Sequence, residues 1–163
     1  KVNQSYIAKL QMNYDHTGNF DWRTSRYRTF ARAYVPAGSK LLKASRIDEN
    51  GTAQSIAIDQ VTIEEESNKQ SFGYFTVIEP GDTESLIFEY ELPDSIVKSI
   101  ANGNYQLDIQ KQAGIVETDL TLQLDFDKKV QVATPAESRD FWGDDTYTYE
   151  TTLRSDEWYS VGF

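Results

Sequence analysis

One histidine, His16, and no cysteine bound the chemistry open to these 163 residues. Thiol catalysis, cysteine-built zinc sites and disulfide scaffolds are all excluded. A Ser-His-Asp relay would have to run through His16, in the loop Asn13-Tyr14-Asp15-His16-Thr17-Gly18. No Gly-Xaa-Ser-Xaa-Gly elbow accompanies it. Flanked by Asp, Thr and Gly, His16 reads as a solvated turn residue. A carboxylate pair could hydrolyse glycosides across a cleft, yet none of the 26 acids stands out as half of one. Glu64-Glu65-Glu66 reads as a solvated strand end. The nine glycines fall singly, so no glycine-rich loop is present to cradle a phosphate.

Calcium is the ion that acidic loops would suit, because it takes carboxylate and carbonyl oxygens. Asp144 with Asp145, Asp125 with Asp127, and Asp15 with Asp21 are the candidates, but none follows the spacing of a calcium loop. No cofactor is therefore expected. An intramolecular isopeptide bond would need a buried lysine beside a carboxylate. Lys111 is a better candidate for it than Lys9, which alternation puts on a solvated face.

Arginine and the aromatic residues offer more. Arg26, Arg28 and Arg32 recur at even spacing with Phe30 and Tyr34, which puts all five on one face of a strand. Guanidinium forks on a rigid strand suit anionic glycans or phosphates. Trp22 and Trp142 fall in loop-like segments, where rings can stack on sugars. Trp22, Arg26, Arg28, Arg32 and Trp142 are thus the candidate ligand-binding residues. In the competing reading the tryptophans plug the ends of the fold, and the arginines pair with Glu89 and Glu91 on another strand.

The elements that would position them are mostly strands. Tyr6, Ala8, Leu10 and Met12 alternate with polar residues, as do Leu86, Phe88, Tyr90 and Leu92. Arg26–Val35, Leu41–Ser45, Phe72–Ile78, Leu120–Phe126 and a terminal strand ending at Phe163 follow the same rule. Asn50-Gly51 and Pro80-Gly81-Asp82 supply turns. The segment Ile56–Ile63 reads as one strand or as two with a bulge. Asp94–Ala101 is the one helical stretch. Ten or eleven strands with one polar face each predict an all-β, antiparallel β-sandwich, immunoglobulin-like with additional strands and at most one short helix. With neither repeats nor linkers, residues 1–163 read as one domain.

The net charge of −10 is unevenly spread. Lys1–Lys43 holds eight basic and two acidic residues, and the remainder eight basic and 24 acidic. An acidic domain makes a poor nucleic-acid binder. No apolar run approaches the ~18 residues of a membrane-spanning helix. The start at Lys1, without Met or leader, reads as a processed piece of a longer surface protein.

The run Tyr27-Arg28-Thr29-Phe30-Ala31-Arg32-Ala33-Tyr34-Val35-Pro36-Ala37-Gly38-Ser39-Lys40-Leu41-Leu42 resembles a recurrent family segment. Further matching segments are Phe72–Val77 with Pro80-Gly81, Leu86–Pro93, Tyr105–Gly114 and Leu153–Val161. Together they resemble the carboxy-terminal β-domain of an uncharacterised family of bacterial membrane-anchored cell-envelope proteins. An upstream domain of that family carries the motif Leu-Gln-Asn-Xaa-Glu-Leu-Arg-Pro-Thr-Gly-Gly-Phe, which is not found here. The family's Gln-Lys-Gln-Pro-Gly turn reads Gln110-Lys111-Gln112-Ala113-Gly114. The resemblance implies an extracytoplasmic, non-enzymatic structural or interaction module: a spacer, assembly or adhesion domain. Its expected partners are other envelope proteins or cell-wall glycan, and the membrane only through the rest of the parent protein. A carbohydrate- or anionic-glycan-binding module is the alternative.

Overall fold

A computed structural model describes residues 5–163. The fold is all-β and sandwich-like: the described residues form twelve antiparallel strands, one α-helix and one 3₁₀ turn. Its contacts divide it into two compact units, Lys1–Asp94 and Ser95–Phe163, where the sequence reads as one domain.

In the first unit, β1 (Ile7–Asp15), β3 (Lys40–Ile47), β4 (Ala53–Ile56) and β7 (Thr83–Glu91) form a sheet in the order β1-β7-β3-β4. A second sheet, β2-β6-β5, contains β2 (Tyr27–Pro36), β5 (Thr62–Glu66) and β6 (Lys69–Ile78). The segment Ile56–Ile63 is not one bulged strand but a crossing between sheets: β4 ends at Ile56, the 3₁₀ turn Ile58–Gln60 follows, and β5 begins at Thr62 in the other sheet. One core joins the two sheets: Ala31, Ala33 and Val35 of β2 and Phe72 of β6 cluster with Ala44, Leu86 and Phe88 of the other sheet. Phe72 lies 6.0 Å from Phe88 and 5.7 Å from Tyr90, ring centre to ring centre, both tilted. The alanines matter here, because small side chains on β2 leave room between the sheets for these rings.

A buried polar pair also stands in this unit. The Thr76 hydroxyl donates to Glu84 Oε1 at 2.5 Å, and Arg46 lies 3.7 Å from Glu84 Oε2. The carboxylate thus keeps two partners where a bare one would be costly.

The second unit holds the sheet β10-β12-β8 and the pair β11-β9. Its strands are β8 (Asn104–Ile109), β9 (Thr118–Asp125), β10 (Val132–Thr134), β11 (Thr146–Leu153) and β12 (Glu157–Gly162). The helix α1 spans Asp94–Ala101, matching the sequence expectation. Tyr147, Tyr159, Val130 and Val161 are buried, and Phe126 packs 4.4 Å from the Phe163 ring. Glu137 is buried with them: its Oε1 accepts the Thr148 N–H at 2.5 Å, and its Oε2 has no hydrogen-bond partner.

Candidate functional site

The arginine strand is β2, and its alternation carries through to the structure. Ala31, Ala33 and Val35 face the core, while Arg28, Phe30, Arg32 and Tyr34 are exposed on the other side. Pairing with β6 sets Arg28 opposite Val77, Phe30 opposite Phe75 and Arg32 opposite Gly73. Pairing of β6 with β5 then adds Thr62 and Glu64 beside Gly73 and Ser71. The outer face of this sheet therefore carries a cluster of exposed rings with a cation at either end. Phe30 and Phe75 remain 43% and 55% exposed, side by side on this face.

Phe30 does not simply point outward. A Cβ placed on Gly73 would meet Cζ of Phe30 at 2.5 Å and Cε1 at 2.6 Å, so the tip of the ring rests on the Gly73 backbone. The ring leans diagonally from β2 across β6, a reach open to aromatic side chains on a pleated sheet. Glycine is needed at position 73 for this close approach.

The three arginines have different environments. Arg26 precedes β2 and binds Glu79 through Nε at 2.5 Å. Arg32 donates to the Tyr34 hydroxyl at 3.2 Å, and that hydroxyl donates to Glu66 at 3.3 Å. Glu66 and Glu64 lie 3.8 Å and 3.9 Å from the Arg32 guanidinium. The hydrogen bond to Tyr34, then the two carboxylates, raises its pKa further above the ordinary value. Arg32 also stands 5.3 Å over the Phe30 ring. Arg28 has no hydrogen-bond or ion-pair partner among the described residues. The face is therefore uneven in charge: an uncommitted cation at Arg28, and at the other end Arg32 and Lys69 balancing Glu64 and Glu66.

Glu89 and Glu91 are not the arginines' partners, as the competing reading had them. They belong to β7, in the other sheet of the unit, where Glu89 takes Lys43 at 3.4 Å and Glu91 stands opposite Lys40. The usable acids come from β5. The two-residue turn Ser67-Asn68, both residues at positive φ, folds β5 back along β6 and so within reach of β2.

At the Arg28 end of β2 opens a cleft of about 440 Å³, lined by Tyr14, His16, Arg23, Arg26 and Tyr27 among others. Loop 16–26 forms its wall. His16 is half-buried rather than solvated, and both its ring nitrogens are occupied: Nε2 lies 2.9 Å from the Ser25 carbonyl and Nδ1 accepts the Gly18 N–H at 3.4 Å. Its backbone is tied to Asp82 and Gly81. Such a histidine fastens its loop through main-chain groups. Asp21 turns the same loop by accepting the N–H groups of Arg23 and Thr24, which hold its carboxyl below the ordinary range. Trp22, 86% exposed at the loop tip, stacks under the Arg23 guanidinium at 4.4 Å.

Trp142 is exposed in the second unit, in the loop between β10 and β11. Lys111 does not meet a carboxylate through Nζ, which instead donates to the carbonyls of Gln112 and Ile115. Two of the calcium candidates serve as turn caps: Asp125 accepts the Asp127 N–H and Asp144 accepts the Thr146 N–H. Among the described residues, no three His, Asp or Glu side chains gather as a metal site would need. A depression of about 500 Å³ in the second unit borders Lys128, whose ammonium is already committed to the Ile100 carbonyl at the end of α1.

No protein-family model matches this sequence, and neither a curated protein nor a solved structure does.

Proposed function

We propose that the chain is a non-enzymatic interaction module of a bacterial envelope protein, located outside the cytoplasm, that holds a partner on the outer face of the β2-β6-β5 sheet. The observation that carries this reading is the pairing, on one rigid sheet, of exposed rings with an unpartnered arginine: Phe30 and Phe75 beside Arg28. Exposing large aromatics to water is unfavourable, so a cluster of them on a sheet face marks a contact surface. Arginine supplies orientation through its planar fork. The use of His16 to fasten its loop through main-chain groups supports the non-enzymatic half of the reading. The envelope setting rests on the family resemblance of the segments from Tyr27 to Val161.

The test is retention on isolated bacterial envelope fractions, with and without their protein removed. Retention that Phe75→Ser and Arg28→Ala together abolish, in a variant that still melts like the parent, is the expected result. Equal retention of parent and double variant would remove this face from the function. Failure of both to bind any envelope fraction would end the interaction reading.

A further inference from the structure

The unevenly charged face favours one class of ligand. We infer that it binds an extended acidic polysaccharide with sparse carboxylates, sugar rings stacking on Phe30 and Phe75 and one carboxylate held by Arg28; this rests on the interaction reading above.

The case begins with the rings. The tip of Phe30 is pinned to the Gly73 backbone, so the ring is held low over the sheet with much of its surface open to solvent. Phe75 stands directly across from it. Both rings are exposed on this one face, Phe30 with the Arg32 guanidinium 5.3 Å over it, and the apolar C–H faces of sugars pack well on exposed aromatic surface.

Charge then selects among glycans. On this face, among the described residues, Arg28 is the uncommitted cation, and a guanidinium takes one carboxylate through two parallel hydrogen bonds. At the far end of the face, Glu64 and Glu66 stand beside Arg32. Arg32, with Lys69 opposite Glu66, balances them, so a ligand charged at every unit would find no second uncommitted cation at this end of the face. A ligand bearing a charge only at intervals can seat its acid on Arg28 and lay neutral sugars over the rings. Arg28 and Arg32 are four strand residues apart, about 13 Å, a distance that a chain of sugars spans and a single sugar does not.

The probe is a linear polymer alternating a uronic acid with a neutral N-acetylated hexosamine, compared with its carboxyl-reduced form and with poly(glycerol phosphate). Calorimetry or affinity electrophoresis on the whole chain reads the affinity. The uronate polymer should bind at least tenfold tighter than either of the others, and Arg28→Ala should abolish that preference. Phe75→Ser should weaken binding to the uronate and reduced polymers alike, while its melting curve stays that of the parent. Equal or tighter binding of the phosphate polymer, an unchanged preference in Arg28→Ala, or no binding to any polymer would overturn the inference. Retention on envelope fractions in that last case would leave the interaction reading standing with a protein partner; loss of retention as well would remove both.

Discussion

Replacing Gly73 with Ala should separate binding from stability on this face. Gly73 has no positive φ, so its backbone accepts alanine. The obstacle is Phe30, whose Cζ and Cε1 would lie 2.5 and 2.6 Å from the new Cβ. Ordinary carbon contacts need about 3.5–4.0 Å, so the ring tip must lift by roughly 1 Å or more. It can, being the far end of a surface side chain. The loss is part of the packing of a half-buried phenylalanine, about 0.5–1 kcal/mol of the roughly 1.5–3 that full burial supplies. Removing a glycine from a strand interior returns about 0.5–1 kcal/mol. Stability should therefore stay within about 1 kcal/mol of the parent. The displaced ring no longer completes the platform, and an aromatic contact of about 0.5–1.5 kcal/mol corresponds to a loss of roughly two- to tenfold in affinity. Denaturant melts and glycan titration of the same variant measure both. Unchanged affinity would refute the role of the pinned ring, and a loss of more than about 2 kcal/mol would show that Gly73 is needed by the fold itself.

Phe72→Ala, which empties a fully buried site between the sheets, should cost about 3–5 kcal/mol in a chemical melt; a loss under about 1.5 would mean the core is not closed there. Thr76→Val strips the hydroxyl from buried Glu84 and should cost about 1–3 kcal/mol, whereas an unchanged melt would show that Arg46 alone satisfies the carboxylate. Tyr147 is buried, and desolvation first, then Tyr149 and Glu137, pushes its phenol up to about 12 from an ordinary value of 10.0. A group whose folded pKa is raised lends stability in full below the unfolded pKa and loses it as pH climbs through the folded one. Tyr147 should thus contribute a fall of on the order of 2 kcal/mol between about pH 10 and 12, beside that of Tyr159, whose phenol burial also raises, and Tyr147→Phe should make the total fall shallower by that amount while losing the bond to the Pro135 carbonyl at neutral pH. Identical alkaline profiles would contradict this assignment. His16→Ala should speed amide exchange in residues 17–25 with little change in the global melt, and unchanged exchange would show that the ring does not fasten the loop.

Much of this fold was legible because strand alternation is a local property. Ala31, Ala33 and Val35 declare the inner face of β2 by period alone, and Asp94–Ala101 declares its helix. Which strand lies beside which is not local. Glu89 and Glu91 were plausible partners for the arginines because they alternate cleanly, yet β7 pairs with β1 and β3 instead. The acids beside Arg32 depend on the Ser67-Asn68 turn, a weaker signal than Asn-Gly, and on the long-range pairing of β2 with β6. The same limit hid the aromatic platform. Phe30 was visible as an outward residue, but its neighbours Phe75 and Gly73 come from a strand some forty residues later. The division at Asp94 was hidden for another reason: Pro93 and Asp94 read as a strand end and a helix cap, with no linker composition to mark a boundary.

The uneven charge along β2 also gives the sheet a direction. A face with a free cation at Arg28 and carboxylates beyond Arg32 is not equivalent under reversal, so a polymer whose own two ends differ can lie on it in only one favourable sense. The direction of a bound polymer would then be written in the order of residues along a single β-strand.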